Sequence, residues 1–195
     1  MEYVPVVGLI SSFLSFVFFT VSTVTVGWLK ATDAESGSHV EYGLWKVCVA
    51  EPGYLKWCGP LTSDDLTDYV YGTRACMITA TVLCGTALVT VTLVFNRSFS
   101  IKQTCRRGIP LLVILAGIPA LVGVTWYGLS ARPDAVSRQG YVAVEFGFSF
   151  ILACLSIPLS VVGGCVLFNI FKDKVTEDDG KNVYLCCLNP PIDDV

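Results

Sequence analysis

Charged side chains are what this sequence has least of. They make up 15% of its 195 residues, against about 25% in an average soluble domain. With a mean hydropathy of +0.64, that shortage argues against a soluble globular protein. Basic residues form no stripe, and their one cluster lies in a short loop, so a nucleic-acid partner is not expected. Histidine is rarer still: His39 is alone, and no His or further carboxylate joins Asp64, Asp65 and Asp68 at a ligand-like spacing. Neither a metal nor another cofactor is expected. There is no Cys-x-x-Cys pair and no glycine-rich phosphate loop, which removes the usual redox and phosphate-handling chemistries. No constellation of catalytic residues remains, and we expect no enzyme.

What the sequence has in quantity is long apolar runs. A membrane-spanning helix needs about 20 mostly apolar residues, and four stretches qualify. Residues 4–27, 75–95 and 109–131 contain no charged side chain, and 144–171 contains only Glu145, in its first turn. The runs at 109–131 and 144–171 include Pro119 and Pro158, which membrane helices tolerate when neighbours satisfy the freed carbonyls. The first run is too long for a signal-peptide core and lacks a basic flank, so it is expected to be retained. Gly8, Ser11, Ser12 and Ser15 in the first run, Gly117 and Gly123 in the third, and Gly163-Gly164 in the fourth suit close helix packing.

Lysine and arginine near the helix ends set orientation. The loop 96–108 holds Arg97, Lys102, Arg106 and Arg107 without an acid, and Lys172 and Lys174 follow the fourth run. This loop and both termini are therefore expected in the cytoplasm, with 28–74 and 128–143 outside and 172–195 as a cytoplasmic tail. Asn96-Arg97-Ser98 reads as a glycosylation sequon, but this topology keeps it from the lumen. Among nine cysteines, only Cys48 and Cys58 then face the oxidising side, so they are the expected disulfide. Pro52-Gly53 between them signals a turn. Upstream, Val40, Tyr42 and Leu44 alternate with Glu41, Gly43 and Trp45, the period of a strand. A hairpin closed by a disulfide follows. A sheet this small lacks a sufficient core of its own.

Trp28, then Gly43-Leu44-Trp45, then Cys48 and Cys58, then Arg74 in "TRACM" form a pattern that resembles the claudin signature. The wider group includes the peripheral myelin proteins, the epithelial membrane proteins and the calcium-channel gamma subunits. "VEFG" at 144–147 resembles the Glu-x-Gly that opens the fourth helix of claudins. Some features depart from the family pattern. The stretch from Trp28 to Trp45 is shorter, the Asn-Pro of the second outer loop is missing beside Arg132-Pro133, and the chain ends in "IDDV" rather than Tyr-Val. The resemblance implies an all-α membrane four-helix bundle with a small extracellular antiparallel β-sheet, four strands from 28–74 and one from the second outer segment. It implies that Trp28, Leu44 and Trp45 anchor that sheet at the membrane face. Arg74 is left between an outer acid partner and an interfacial, snorkelling position.

The function implied is a tight-junction protein of the plasma membrane. Copies would associate with themselves or with other claudins, side by side and across two cells, as a paracellular barrier or a charge-selective pore. The alternatives are an auxiliary subunit of an ion channel and a myelin-type adhesion protein. Asp64, Asp65 and Asp68 are candidates for a cation path, since acidic rings select cations; an ordinary solvated face is the plainer reading. Cys105, Cys186 and Cys187 are candidates for lipidation, the last two reached from the fourth helix by a linker long enough to return to the membrane. Asp193, Asp194 and Val195 end the chain as a candidate ligand for cytoplasmic PDZ scaffolds, which add a C-terminal strand to a sheet edge.

Overall fold

The computed structural model describes residues 3–33, 37–61, 67–95, 103–131 and 141–188. Four helices are long and apolar enough to cross a membrane: α1 (Tyr3–Val24), α2 (Asp68–Phe95), α3 (Gln103–Ser130) and α4 (Phe148–Leu188). Strands β1 (Val26–Asp33), β2 (His39–Gly43), β3 (Lys46–Ala50) and β4 (Trp57–Pro60) lie between α1 and α2, and β5 (Tyr141–Phe146) precedes α4. They form one sheet in the order β4-β3-β2-β1-β5, antiparallel at each neighbour. The end of α1, the start of α2, the end of α3 and the start of α4 all meet this sheet, which caps one end of the bundle.

Small residues set how closely the helices approach. A Cβ on Gly163 would lie 2.5 Å from the Ser12 hydroxyl, and one on Gly123 would lie 2.9 Å from the Cys76 Cβ. The Ser15 hydroxyl donates across the α1–α4 seam to the Ser156 carbonyl at 2.9 Å. Ser12, Ser22 and Thr23 donate to carbonyls of their own helix, so these buried hydroxyls need no water. Pro110, Pro119 and Pro158 sit within α3 and α4 without ending them.

Several expected boundaries move. The first helix stops at Val24 rather than 27, because β1 begins at Val26, and Gly27 within it takes φ +112°, which a right-handed helix does not contain. The second starts at Asp68, not 75. Its first two turns stand beyond the apolar run, where polar Thr73 and Arg74 are tolerated in helical form. The fourth starts at Phe148 rather than 144, since residues 141–146 pair with β1. Val144 and Glu145 are therefore strand residues, which a simple count of apolar positions cannot distinguish from helix. The strand expected through Trp45 ends at Gly43, and Leu44-Trp45 forms a corner before β3. Beyond residue 171 the backbone continues as helix to Leu188, in place of the extended linker expected ahead of Cys186.

Candidate functional site

The signature residues converge on the junction between sheet and bundle. A helix leaves its last carbonyls without intrahelical partners, and α1 has its own satisfied by the chain that follows. The Thr25 amide and hydroxyl donate to the Val21 carbonyl at 3.0 and 2.6 Å. The Trp28 indole N–H donates to the Ser22 carbonyl at 2.7 Å, and the Trp45 indole N–H to the Thr23 carbonyl at 2.8 Å. One tryptophan from β1 and one from the corner between β2 and β3 thus cap one helix end and bind the sheet to it.

Trp28 holds the sheet to the bundle from the interior. It is fully buried, its ring edge-on to Tyr127 of α3 at 4.9 Å and to Phe150 of α4 at 5.9 Å. Leu44 is also fully buried in this cluster. Trp45 stays 39% exposed, which leaves it the amphipathic, interfacial member of the pair. The Arg74 Nε–H donates to the Leu44 carbonyl at 2.7 Å. Its guanidinium lies over the Trp45 ring at 4.6 Å and the Tyr71 ring at 5.4 Å. Among the described residues Arg74 is therefore held by a carbonyl and two rings rather than by an acid. Backbones nearly touch here. The Gly147 amide donates to the Trp28 carbonyl at 3.1 Å, and a Cβ on Gly147 would lie 2.1 Å from the Gly27 carbonyl oxygen. Gly43 faces Val26 in the same way, with a would-be Cβ 2.9 Å from the Val26 Cα. Sequence reasoning missed Tyr127, Phe150 and Gly27, whose roles depend on partners over 100 residues away in two of the three cases.

Away from the junction, Cys48 and Cys58 stand directly opposite each other on β3 and β4 and are joined as a disulfide. Glu51 to Tyr54 make the intervening turn, with the Tyr54 amide on the Glu51 carbonyl at 3.1 Å. Gly53 supplies the positive φ of 87° that a Pro-Gly type II turn requires. Beyond it Tyr54, Leu55 and Trp57 are largely exposed. One row of the sheet reads Glu145, Lys30, Glu41, Cys48, Cys58 across five strands. Lys30 approaches Glu41 at 3.4 Å, and Lys56 reaches back from the turn to the same carboxylate at 2.5 Å. The hydrogen bond from Lys56 is the main reason the Glu41 carboxyl titrates below the usual carboxylate range; partial burial opposes it, and the two lysine charges reinforce it. Glu145, Lys30 and Glu41 of this row, with Ala31, Val40 and the Thr32–His39 pair, hydroxyl to Nδ1 at 3.1 Å, line a groove of about 290 Å³.

The remaining candidates are scattered. Asp68 is in the first turn of α2, in a cleft with Trp126; Asp64 and Asp65 lie outside the described residues. Cys105 falls in the first turn of α3, and Cys186 and Cys187 in the last turn of α4. Asp193, Asp194 and Val195 also lie outside the described residues. No grouping of three or more metal-ligating side chains occurs among the described residues.

A family model described as "PMP-22/EMP/MP20/Claudin family" matches residues 3–167. Claudin-11 of Homo sapiens is 30% identical over 202 residues, covering 95% of this chain and 93% of that protein. Claudin-11 of Macaca fascicularis is 29% identical over 178 residues, covering 83% of this chain and 81% of that protein. Claudin-11 of Bos taurus is 28% identical, with the same coverage.

Proposed function

This chain belongs to the PMP-22/EMP/MP20/Claudin family, and from that membership we propose that it is a tight-junction protein of the plasma membrane. Copies associate side by side in one membrane and face to face across two, with themselves or with other claudins. The assembled outer sheets form a barrier or a charge-selective path between cells. The observation that carries the reading is a disulfide-stapled sheet held on the bundle by Trp28, Trp45 and Arg74. Such a mount suits contact between molecules, since it holds one face in a fixed direction. The disulfide favours the oxidising exterior for this end, and the basic residues Arg97, Lys102, Arg106 and Arg107, the last two in the first turns of α3, favour the cytoplasm for the other.

The finer reading is a preference for cations. Residues 28–74 carry seven acids and four bases, and the run from Cys58 to Arg74 has Asp64, Asp65 and Asp68 without a base before Arg74. The row Glu145, Lys30, Glu41, with Lys56 added, alternates in sign and sums to zero. Outside that row, Asp33, Glu35 and Glu51 are nearly balanced by Lys46 and Arg74, so the aspartate run carries most of the excess negative charge. Two unit charges 4 Å apart interact by about 4 kcal/mol at an effective dielectric near 20. A quarter of that is about a fivefold change in local cation concentration. The test is electrical resistance and the sodium-to-chloride permeability ratio across a cell layer expressing the chain. Enrichment at cell contacts with a changed resistance is expected. Replacing Asp64, Asp65 and Asp68 by Asn should lower the ratio. A chain that reaches the surface but is not enriched at contacts would refute the junction reading. An unchanged ratio would refute the aspartate path alone.

On the cytoplasmic side the proposal includes PDZ scaffolds at Asp193, Asp194 and Val195, tested by whether deleting these three residues removes scaffold binding. It includes acylation at Cys105, Cys186 or Cys187, tested by hydroxylamine-sensitive labelling that should vanish in the triple Ser variant.

A further inference from the structure

The cleft between the sheet-side ends of α2 and α3 lies where both membrane spans stop. The apolar span of α3 finishes at Ser130, and Asp68 stands in the two turns of α2 just beyond its apolar run, so the cleft stands at the headgroup level of the leaflet on the sheet's side. It is open, has a volume of about 540 Å³, and is lined by Thr67, Asp68, Tyr69, Trp126 and Ser130. Trp126 is fixed from behind, because a Cβ on Gly72 would meet its ring at 2.3 Å. Glycine thus lets α2 back one side of the indole, which stays 44% exposed. Tyr69 is braced edge-on by Tyr127 at 5.6 Å.

This lining pairs one carboxylate with two aromatic rings and the aliphatic hydroxyls of Thr67 and Ser130. Aromatic faces attract cations through the ring quadrupole, and a quaternary ammonium is the cation such faces recognise best, having no N–H to lose to water. A carboxylate beside the rings adds charge complementarity. Hydroxyls suit a phosphate as donors. A group carrying both charges a few ångströms apart, held at the level where tryptophan sits at the membrane boundary, is a zwitterionic lipid headgroup. We propose that this cleft binds the phosphocholine headgroup of a lipid, the trimethylammonium against Trp126, Tyr69 and Asp68 and the phosphate toward Thr67 and Ser130. An anionic lipid is disfavoured by Asp68, and a phosphoethanolamine headgroup gains less from the rings because its ammonium is more strongly hydrated. The site shares Asp68 with the proposed cation path, but it is read by lipid retention rather than by permeability, so the two readings fail separately.

The test is native mass spectrometry of the purified full chain. It is titrated with phosphatidylcholine, phosphatidylethanolamine and phosphatidylglycerol of identical acyl chains. Phosphatidylcholine should be retained about fivefold or more over each of the others. Asp68→Asn and Trp126→Leu should each remove most of that preference, and Trp126→Phe, which keeps a ring, should keep most of it. An intact Cys48–Cys58 bond and unchanged elution of each variant establish folding. Should Trp126→Leu fail to fold, Asp68→Asn and Trp126→Phe still decide. Equal retention of the three lipids would overturn the proposal, as would a preference that survives Asp68→Asn. Binding of glycerophosphocholine as tightly as the lipid would overturn the assignment to a lipid and indicate a soluble ligand.

Discussion

Replacing Arg74 by alanine should loosen the sheet from the bundle by about 2–4 kcal/mol, and the structure shows where that cost arises. The Nε–H bond to the Leu44 carbonyl is 2.7 Å long and has a charged donor, a class worth about 1.5–3 kcal/mol. The guanidinium over the Trp45 ring at 4.6 Å adds about 0.5–1 kcal/mol at a half-exposed site. Arg74→Lys keeps the charge but not the planar fork, so it should lose the carbonyl bond and recover only part of the ring contact. Trp45→Leu removes the ring and the indole bond to Thr23. A double-mutant cycle with Arg74→Ala and Trp45→Leu isolates the ring term, and should show a coupling of about 0.5–1 kcal/mol. The assay is reversible unfolding of the purified chain in mixed micelles, followed by fluorescence of the remaining tryptophans. Two results would refute the reasoning. One is a cost below about 0.5 kcal/mol for Arg74→Ala, the level of an exposed substitution. The other is strict additivity, which would mean that the ring and the guanidinium do not interact in solution.

Gly147→Ala should abolish surface delivery, because its Cβ would lie 2.1 Å from the Gly27 carbonyl oxygen and neither backbone has a side chain that could yield; normal delivery with an unchanged melting point would contradict this. Glu41 makes stability depend on pH in a defined sense. Its carboxyl is held below the ordinary value in the folded chain, so its contribution is fully present above the unfolded value of about 4.3 and is lost as pH falls through the lowered one. Glu41→Gln should flatten an unfolding curve measured between about pH 6 and pH 3, and an identical slope would show that the Lys56 and Lys30 contacts contribute nothing. Cys48→Ser should cost about 2–5 kcal/mol and lower the surface fraction detected by biotinylation, which a wild-type level would rule out.

The four spans, their order and the sheet's place between the first and second were legible in the sequence. Each rests on a local quantity, an uninterrupted apolar run or its absence, and hydrophobic length is decided residue by residue. The pairing of Cys48 with Cys58 was legible for a related reason: topology leaves two cysteines on one side. Boundaries were less so. Val144 and Glu145 satisfy a helix count as well as a strand alternation, and only β1 lying alongside selects the strand. The roles of Trp28 and Arg74 depended entirely on tertiary structure. A tryptophan beside an apolar run suits a membrane boundary equally well. What buries it is the meeting of Tyr127 and Phe150 from two other helices, together with a Ser22 carbonyl that has no partner within its own helix. Arg74 likewise has no local sign of its partner, because the Leu44 carbonyl becomes available only where the chain turns its corner between β2 and β3. Sequence alone therefore determined what each segment is made for. Which backbone group each signature side chain satisfies was decided only when helix ends and strands from distant parts of the chain were brought within hydrogen-bond distance.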